Sequence, residues 1–499
     1  NSNLNLTYLI VIVKKRFLNI VEKIKLSNCL GYYMNYRFFT IIKMKFKYTE
    51  FKNKEFLVFL FFLFSFILLS IFLDWHYDES WTYRDIKGNS LIDLLTYDKF
   101  KYANNHLFNS LLFRICQVSD VKQMIFYRLL SLIGFCFYYY GVLKLLKYFE
   151  LPFFYIFFFL VTPFFFYFSL GRGYGLALGS FVLSFYFLIS IFHENRIKSE
   201  YLFLLFGIIS SLSIFSFIYI FIAGLIVYGI YKLKTGINIH LFIVGLISII
   251  TVFYIYFLGK IVNDFDTYTP SSNSFIKDGT LSSIISDLTY FSFFKEYSFY
   301  VYIKYGFIVL CILPFIKYKS ILKARLLDKK YFLPVLLIAI SFLLMIIAHM
   351  FTTAKYPLNR AIYFIHFLIF LTIIILFNKG KILLIIPLIY TTLIAVLIIG
   401  IEINDLRYPK KYELIKQSRY SNLYILSHDP TFYVTNEFYK VNKNNIFMSR
   451  YPEDLIKLIK SDESSNKYII SNSKDVERFK FRKKLIQKGR MGINLYYLY

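Results

Sequence analysis

Long apolar segments alternate with short polar segments along most of the chain. Apolar runs suited to an α-helix that crosses a bilayer occur at about eleven places. They lie at about 56–73, 124–146, 153–170, 174–192, 201–215, 216–231, 239–258, 300–316, 332–350, 361–377 and 381–400. The two runs within 201–231 are short for a pair of spans. The pattern predicts a polytopic α-helical membrane protein with about eleven transmembrane helices.

The segments between the apolar runs differ in charge on the two sides of the predicted bundle. One set is short and densely basic, near 147, 193–200, 232–238, 317–331 and 378–381. The other set is longer or of mixed charge, at 74–123, 171–173, 259–299, 351–360 and in the tail from 401. Because basic loops stay in the cytoplasm, this asymmetry predicts a cytoplasmic N-terminus and an external C-terminus. The expected location is a bacterial cytoplasmic (inner) membrane.

The first external loop, residues 74–123, has helical periodicity of its own. Leu91, Leu94 and Leu95 repeat at helical spacing, and Leu107, Leu111 and Leu112 repeat in the same way. Amphipathic helices of this kind lie in the plane of the membrane surface. The loop is therefore predicted to form a shelf of interfacial helices.

Three regions follow from these patterns. Residues 1–43 are predicted to be a non-native or disordered extension, because Met44 and the basic stretch after it resemble a natural start. Residues 44–400 form the predicted transmembrane catalytic domain. Residues 401–499 are polar and carry alternating runs, which predict a small α/β domain outside the membrane. These runs are "LYILS", "FYVTN", "YIISN" and "NLYYLY".

Composition narrows the class of protein. The chain is 58% hydrophobic and 22% aromatic, more apolar than a soluble domain can be. Its net charge of +28 does not indicate nucleic-acid binding, because the basic residues sit mostly in the short connections. The four cysteines are scattered and predict neither a disulfide framework nor a zinc site.

Three polar stretches at predicted external boundaries are candidates for chemistry. "DWHYDESWTYRD" at 74–85 contains Asp78 and Glu79, and its loop continues to Asn105 and His106. The other two are "FSLGRGYGLALGSFVLSFY" at 168–186 and "KYPLNRAIYF" at 355–364. In this order and on one side, they resemble the GT-C class of integral membrane glycosyltransferases. The resemblance is greatest to the branch of protein mannosyltransferases and lipid A aminoarabinose transferases. Many relatives have prolines after the histidine, where this chain has Leu107 and Phe108.

The resemblance implies a GT-C-like fold of transmembrane helices, a reaction and roles for the candidate residues. The enzyme would take a sugar from a polyprenyl-phosphate donor and transfer it to a lipid, glycan or protein acceptor. Asp78 would be the general base, and Glu79 would make Asp78 harder to ionise or would bind the acceptor. The remaining candidates would bind substrate or phosphate: Asn105, His106, Arg172, Tyr174, Lys355, Tyr356 and Arg360. No cofactor is expected; a divalent metal is compatible with this chemistry, but no motif supports one.

Two other functions fit a chain with many spans. A membrane oligosaccharide polymerase or ligase usually has its key arginines in a large late external loop, whereas here the longest loop comes first and carries the acids. A transporter is expected to show internal repeats or helices broken at corresponding positions, and the sequence has no such self-similarity. The glycosyltransferase is therefore the leading hypothesis.

The leading hypothesis also predicts a geometry. Asp78, His106, Arg172 and Arg360 come from four separate external segments and should converge on one cavity. The Asp78 carboxylate and at least one guanidinium group should be roughly 6–12 Å apart, about one sugar ring plus its contacts. Residues 259–299 or the tail should cover part of this cavity.

Overall fold

The structure is a computed structural model of a mostly helical, multi-pass membrane protein. It describes residues 53–73, 79–80, 82–83, 86, 89–97, 106–115, 124–160, 165–194, 196–264, 271–276, 279–288, 329–352 and 354–377. In the tail it describes 422–426, 446–449, 459–460, 467–472, 483–488 and 493–498. Among these residues, six helices are long and apolar enough to cross a membrane. This confirms the predicted class.

The described helices follow the apolar runs of the sequence closely. They are α1 Asn53–Phe72, α2 Leu91–Thr96, α3 Leu107–Ile115, α4 Met124–Tyr148, α5 Tyr155–Leu160, α6 Gly173–Glu194, α7 Ile197–Ser213, α8 Ile218–Thr235, α9 Ile239–Asp264, α10 Thr280–Leu288, α11 Lys329–Thr352 and α12 Tyr363–Phe377. Short 3-10 helices lie at Phe165–Phe168, Phe215–Phe217 and Asn359–Ile362. The candidate spans belong to α1, α4, α6, α8, α9 and α11.

Helix α6 forms the centre of the described bundle. It packs between α4 and α7, and 83% of its spanning window is buried, against 22% for α1 and for α9. On α9 the outward side chains are large and apolar, with Phe242 65% and Phe253 69% exposed. Such surface suits lipid rather than water, because the exposed apolar patches of soluble proteins are small.

The chain reverses direction between successive helices, so two ends of the bundle can be distinguished. At the Lys147 face, where α4 and α6 end, Lys147 pairs with Glu55 at 3.1 Å. Also at this face, the buried Lys232 Nζ lies 2.6 Å from a Glu200 carboxylate oxygen. The Arg172 face is the opposite end, where α1 and α7 end and α4 and α6 begin. It carries the candidate residues that the structure describes: Glu79, His106, Arg172, Tyr174, Lys355 and Tyr356.

The loop 74–123, which keeps the name first external loop after its predicted side, contains the predicted helices α2 and α3 at the Arg172 face. Helix α2 begins with a capping box, in which the Ser90 hydroxyl accepts from the Asp93 amide and the Asp93 carboxylate accepts from the Ser90 amide. Tyr97 and Leu107 are buried against the last turns of α9. The hydroxyl of Tyr254 in α9 donates to the Leu95 carbonyl at 2.8 Å. The loop is thus attached to the bundle.

A second segment, 271–288, is attached to the Arg172 face further along the chain. Ser271 and Ser272 form the short strand β1, which pairs antiparallel with β2, Tyr356–Pro357. The Thr280 hydroxyl donates to the Pro357 carbonyl at 2.8 Å. These bonds hold the segment beside the turn that leads into α12.

The predicted count of eleven spans is reached only in part within the described residues. The predicted span 153–170 differs in form, because it contains the short helix α5 and then the 3-10 turn Phe165–Phe168. Residues 161–164, between these two elements, lie outside the described residues. The run at 201–215 belongs to α7, which begins earlier, at Ile197, and has 17 residues. The predicted spans 300–316 and 381–400 lie outside the described residues.

The tail contains a mixed five-stranded sheet in the order β4-β3-β5-β7-β6. Its strands are β3 Asn422–Leu426, β4 Ile446–Ser449, β5 Lys467–Asn472, β6 Lys483–Lys488 and β7 Ile493–Leu498. The alternating runs around Leu423, Ile469 and Tyr496 form β3, β5 and β7, as predicted. The sequence analysis missed β4 and β6, and "FYVTN" lies outside the described residues.

Candidate functional site

The candidate site is built around the tight turn that precedes α6, at residues 170–172. Two side chains from other segments bind its backbone. The Ser131 hydroxyl in α4 lies 2.5 Å from the Leu170 carbonyl and 3.0 Å from the Arg172 carbonyl. The Asn109 amide in α3 donates to the Gly171 carbonyl at 3.3 Å. The turn is therefore fixed from both α4 and the first external loop.

A buried ion pair binds the same turn from a third direction. Glu79 and Arg128 are both 0% exposed, and they form a two-pronged pair with bonds of 3.0 and 2.6 Å. The Gly171 amide also donates to the Glu79 carboxylate. Arg128 uses its remaining terminal nitrogen to donate to the carbonyls of Ser70 and Leu73, at 3.0 and 2.8 Å. Both Glu79 oxygens therefore already accept hydrogen bonds, and its charge is offset by Arg128.

Arg172 points into an aromatic environment and is only 1% exposed. The central carbon of its guanidinium group lies 5.0 Å from the centre of the Tyr174 ring, a cation–π geometry. The His106 ring lies 4.9 Å from the same Tyr174 ring at an angle of 68°. Tyr174 is thus the common neighbour of the two cationic or ionisable candidates.

Glycine at position 173 allows His106 and the end of α7 to pack directly against the start of α6. A Cβ atom at Gly173 would lie 2.8 Å from the His106 Cβ and 2.8 Å from the Ser213 carbonyl oxygen. Neither neighbour can yield easily, since one is bound to its own backbone and the other is backbone. A larger residue at position 173 would therefore move His106 away from the start of α6.

Aromatic rings continue from Tyr174 towards α12. The Tyr167 ring lies 4.9 Å from the ring of Tyr174 and 5.4 Å from that of Tyr363. The Tyr363 ring in turn lies 5.7 Å from that of the buried His366. This row of rings connects the turn before α6 with the first turn of α12.

The candidates Lys355 and Tyr356 lie in the turn before α12, which the sequence predicts to be external. Tyr356 is buried, and its ring stacks on His349 at 4.4 Å and packs against Phe275 at 5.3 Å. Lys355 is half-buried beside it. The 3-10 helix that contains the backbone of Arg360 is linked to the α7–α8 turn, because the Ser216 hydroxyl donates to the Ala361 carbonyl.

The structure brings some of the predicted site residues together. His106, Arg172 and Tyr174 form one cluster. Glu79 accepts a hydrogen bond from the Gly171 amide, in the turn that carries Arg172. Tyr356 and Lys355 lie in the separate turn described above. Asp78, Asn105 and the side chain of Arg360 lie outside the described residues, as does the predicted distance from Asp78 to an arginine.

Sequence reasoning missed Arg128, Tyr167 and Tyr363. Arg128 could have been found, because an arginine within an apolar run is costly in lipid and marks a buried partner. The two tyrosines had no such signal, since the chain has 46 tyrosines and most apolar runs contain aromatic residues.

The cluster is closed to solvent. Exposed fractions are 0% for Glu79, 4% for His106, 1% for Arg172 and 6% for Tyr174. A ligand that contacts Arg172 must therefore displace its neighbours. An apolar cavity lies elsewhere, between α6, α7, α8 and α11, and its lining holds no titratable side chain. We therefore assign no chemistry to that cavity.

Among the residues that the structure describes, no group of three His, Cys, Asp or Glu side chains could hold a metal ion. Comparisons of the chain with models of protein families, with curated proteins and with solved structures found no match. The fold thus defines the class, a multi-pass helical membrane protein with a polar cluster buried at one end of its bundle.

Proposed function

We propose that this chain is a GT-C-type glycosyltransferase that uses a polyprenyl-phosphate sugar as donor. It would act at the outer face of the cytoplasmic membrane on a lipid, glycan or protein acceptor. The observation that carries the proposal is the buried Arg172, which lies directly before α6 with its guanidinium group over the Tyr174 ring. An arginine fixed at this boundary suits the phosphate of a membrane-embedded lipid.

The reaction needs a base and a cation on opposite sides of the sugar. Asp78 takes the proton of the acceptor hydroxyl, and the acceptor oxygen forms a bond to the anomeric carbon. The bond from that carbon to the phosphate oxygen breaks, and its electron pair stays on the phosphate. Arg172 stabilises the departing phosphate, and His106 donates a hydrogen bond to it or to the acceptor.

Closure of the site is consistent with this chemistry. In a water-excluded site the attraction between Arg172 and a phosphate is far stronger than in bulk water. Exclusion of water also protects the donor from hydrolysis. The proposal therefore requires that the lipid donor enter by displacing neighbours of Arg172 rather than by filling an open pocket.

The direct test uses the purified chain in lipid nanodiscs with a panel of radiolabelled undecaprenyl-phosphate sugars. We expect one of them to lose its sugar to an acceptor from the membrane extract, with release of undecaprenyl phosphate. Asp78→Asn should lower turnover by about 10²-fold or more, since general-base catalysis is typically worth that much. Arg172→Gln should weaken donor binding as well as turnover.

A matched control for Arg172 is Arg196, which lies at the Lys147 face with its side chain 70% exposed. Arg196→Gln should leave transfer unchanged, because an exposed cation at that face contacts no donor phosphate in this proposal. Retention of more than about a tenth of turnover by Asp78→Asn would exclude its role as base. Movement of a solute across the membrane without sugar transfer would favour a transporter instead.

A further inference from the structure

The buried pair Glu79–Arg128 joins four segments of the Arg172 face: the end of α1, the first external loop, α4 and the 170–172 turn. Arg128 lies in α4 and binds the carbonyls at the end of α1, while Glu79 lies in the first external loop and accepts from the turn before α6. The geometry points to a positioning function for this pair: it holds the first external loop and the 170–172 turn in a fixed mutual arrangement. This inference deepens the proposed function and rests on it for its catalytic meaning.

The pair is suited to positioning rather than to chemistry. Arg128 donates from three nitrogens and Glu79 accepts at both oxygens, so their hydrogen bonds are directed at protein groups. Two opposite charges that are both 0% exposed also cancel at a distance, which leaves little field to attract a phosphate. Glu79 is therefore a positioning residue, although the sequence places it next to the proposed base.

The two groups that the reaction needs are sequence neighbours of Glu79 and of Gly171, the residue whose amide donates to Glu79. Asp78 precedes Glu79, and Arg172 follows Gly171. Consecutive Cα atoms are only about 3.8 Å apart, so a bond between Glu79 and the Gly171 amide limits how far these neighbours can separate. A displacement of about 1 Å between reacting groups can cost about 10²-fold in rate. One ion pair can thereby limit the distance between the base and the cation.

A matched buried pair exists at the opposite face. Lys232 and Glu200 are 3% and 0% exposed at their side chains and 2.6 Å apart, and the Tyr228 hydroxyl donates to Glu200 at 2.6 Å. This pair joins α7 to α8 at the end of the bundle opposite the 170–172 turn. Removal of one partner from either pair leaves a buried charge uncompensated, so the two changes carry comparable penalties.

Hydrogen exchange of the full chain in nanodiscs separates positioning from general stability. The variants are Arg128→Met and, as control, Lys232→Met. In Arg128→Met we expect exchange to rise about tenfold or more in peptides covering 79–86 and 165–173, neither of which contains residue 128. Exchange in a peptide covering 196–204 should stay unchanged. Lys232→Met should give the reverse pattern.

Two results would overturn the inference. Faster exchange in only one of the two segments would mean that the pair does not couple them, and equal acceleration of every peptide would reduce the pair to a contribution to overall stability. Arg128→Lys keeps the charge but loses the two-pronged geometry, and it provides a folded variant if Arg128→Met is not recovered. A chain that fails to fold even as Arg128→Lys would likewise assign the pair to stability alone.

A second measurement keeps this inference distinct from the proposed function. With undecaprenyl phosphate as probe, Arg128→Lys should bind with affinity within a fewfold of wild type, while sugar transfer falls about 10²-fold. Coupled exchange without any transfer by the wild-type chain would leave the positioning inference standing and reject the glycosyltransferase. Transfer at the wild-type rate in Arg128→Lys would reject positioning and leave the glycosyltransferase intact.

Discussion

Tyr174 contacts the candidate residues through its ring. Arg172, His106 and Tyr167 all lie within 5.0 Å of that ring, measured to its centre. The resemblance implies that Tyr174 binds substrate or phosphate. The contacts seen in the structure are made by the ring, since cation–π and edge-to-face contacts depend on the aromatic system and not on the oxygen.

Two substitutions at Tyr174 separate these roles. Tyr174→Phe keeps the ring, and we expect undecaprenyl-phosphate binding within about twofold of wild type. Tyr174→Leu loses a desolvated cation–π contact worth up to about 2 kcal/mol, so binding should weaken by about tenfold. Titration in nanodiscs measures both. An equal loss in the Phe variant would return the role to the hydroxyl.

At the scale of elements, α4 and α6 approach so closely that their backbones touch. A Cβ atom at Gly179 in α6 would overlap the carbonyl of Gly134 in α4. Small residues at helix crossings allow this contact in membranes, where helix association depends on close packing rather than on the hydrophobic effect. The turn that carries Arg172 leads directly into α6, so this crossing also determines where Arg172 lies.

Gly179→Ala is expected to destabilise the bundle by about 1–3 kcal/mol, because the added methyl group must push two backbones apart. The matched control is Gly245→Ala in α9, where an added Cβ meets nothing within 4 Å. That change should be neutral or slightly stabilising, since alanine favours a helix over glycine. Melting temperatures in detergent compare the two. Equal melting temperatures would show that the crossing tolerates a wider separation.

At the scale of the whole molecule, basic residues concentrate at the Lys147 face. Lys147, Lys232 and Lys234 lie in the last turns of α4 and α8. Arg196 and Lys198 are at the start of α7. The Arg172 face carries instead the first external loop and segment 271–288. By the positive-inside rule, this distribution predicts that the Lys147 face is cytoplasmic.

Labelling with a membrane-impermeant maleimide tests this orientation. In a background without the native cysteines, Thr96→Cys in α2 should react in intact cells, and Lys198→Cys only after permeabilisation. Both positions are exposed in the structure. A reporter fused after Lys411 should likewise respond as external, and one within 317–330 as cytoplasmic. The opposite pattern would put Arg172 on the cytoplasmic side and remove the case for an external lipid-linked donor.

The sequence by itself determined the class of protein, the positions of most described helices and the helices of the first external loop. These features depend on local properties of the sequence. One is the free energy of transferring a run of side chains into lipid, and the other is an apolar repeat along a surface helix. The sequence also predicted the short connection at 171–173, where the structure has a tight turn before α6. It did not predict the 3-10 helix Phe165–Phe168 within the run 153–170.

Only the tertiary structure decided which polar groups meet. Glu79 pairs with Arg128, 49 residues away, and binds the Gly171 amide, 92 residues away. No pattern along the chain reports such contacts, because helices such as α4 are apolar on all sides and do not reveal which face turns inward. In lipid the inward face is chosen by close packing and by the need to satisfy buried charges, and both are properties of the assembled helices.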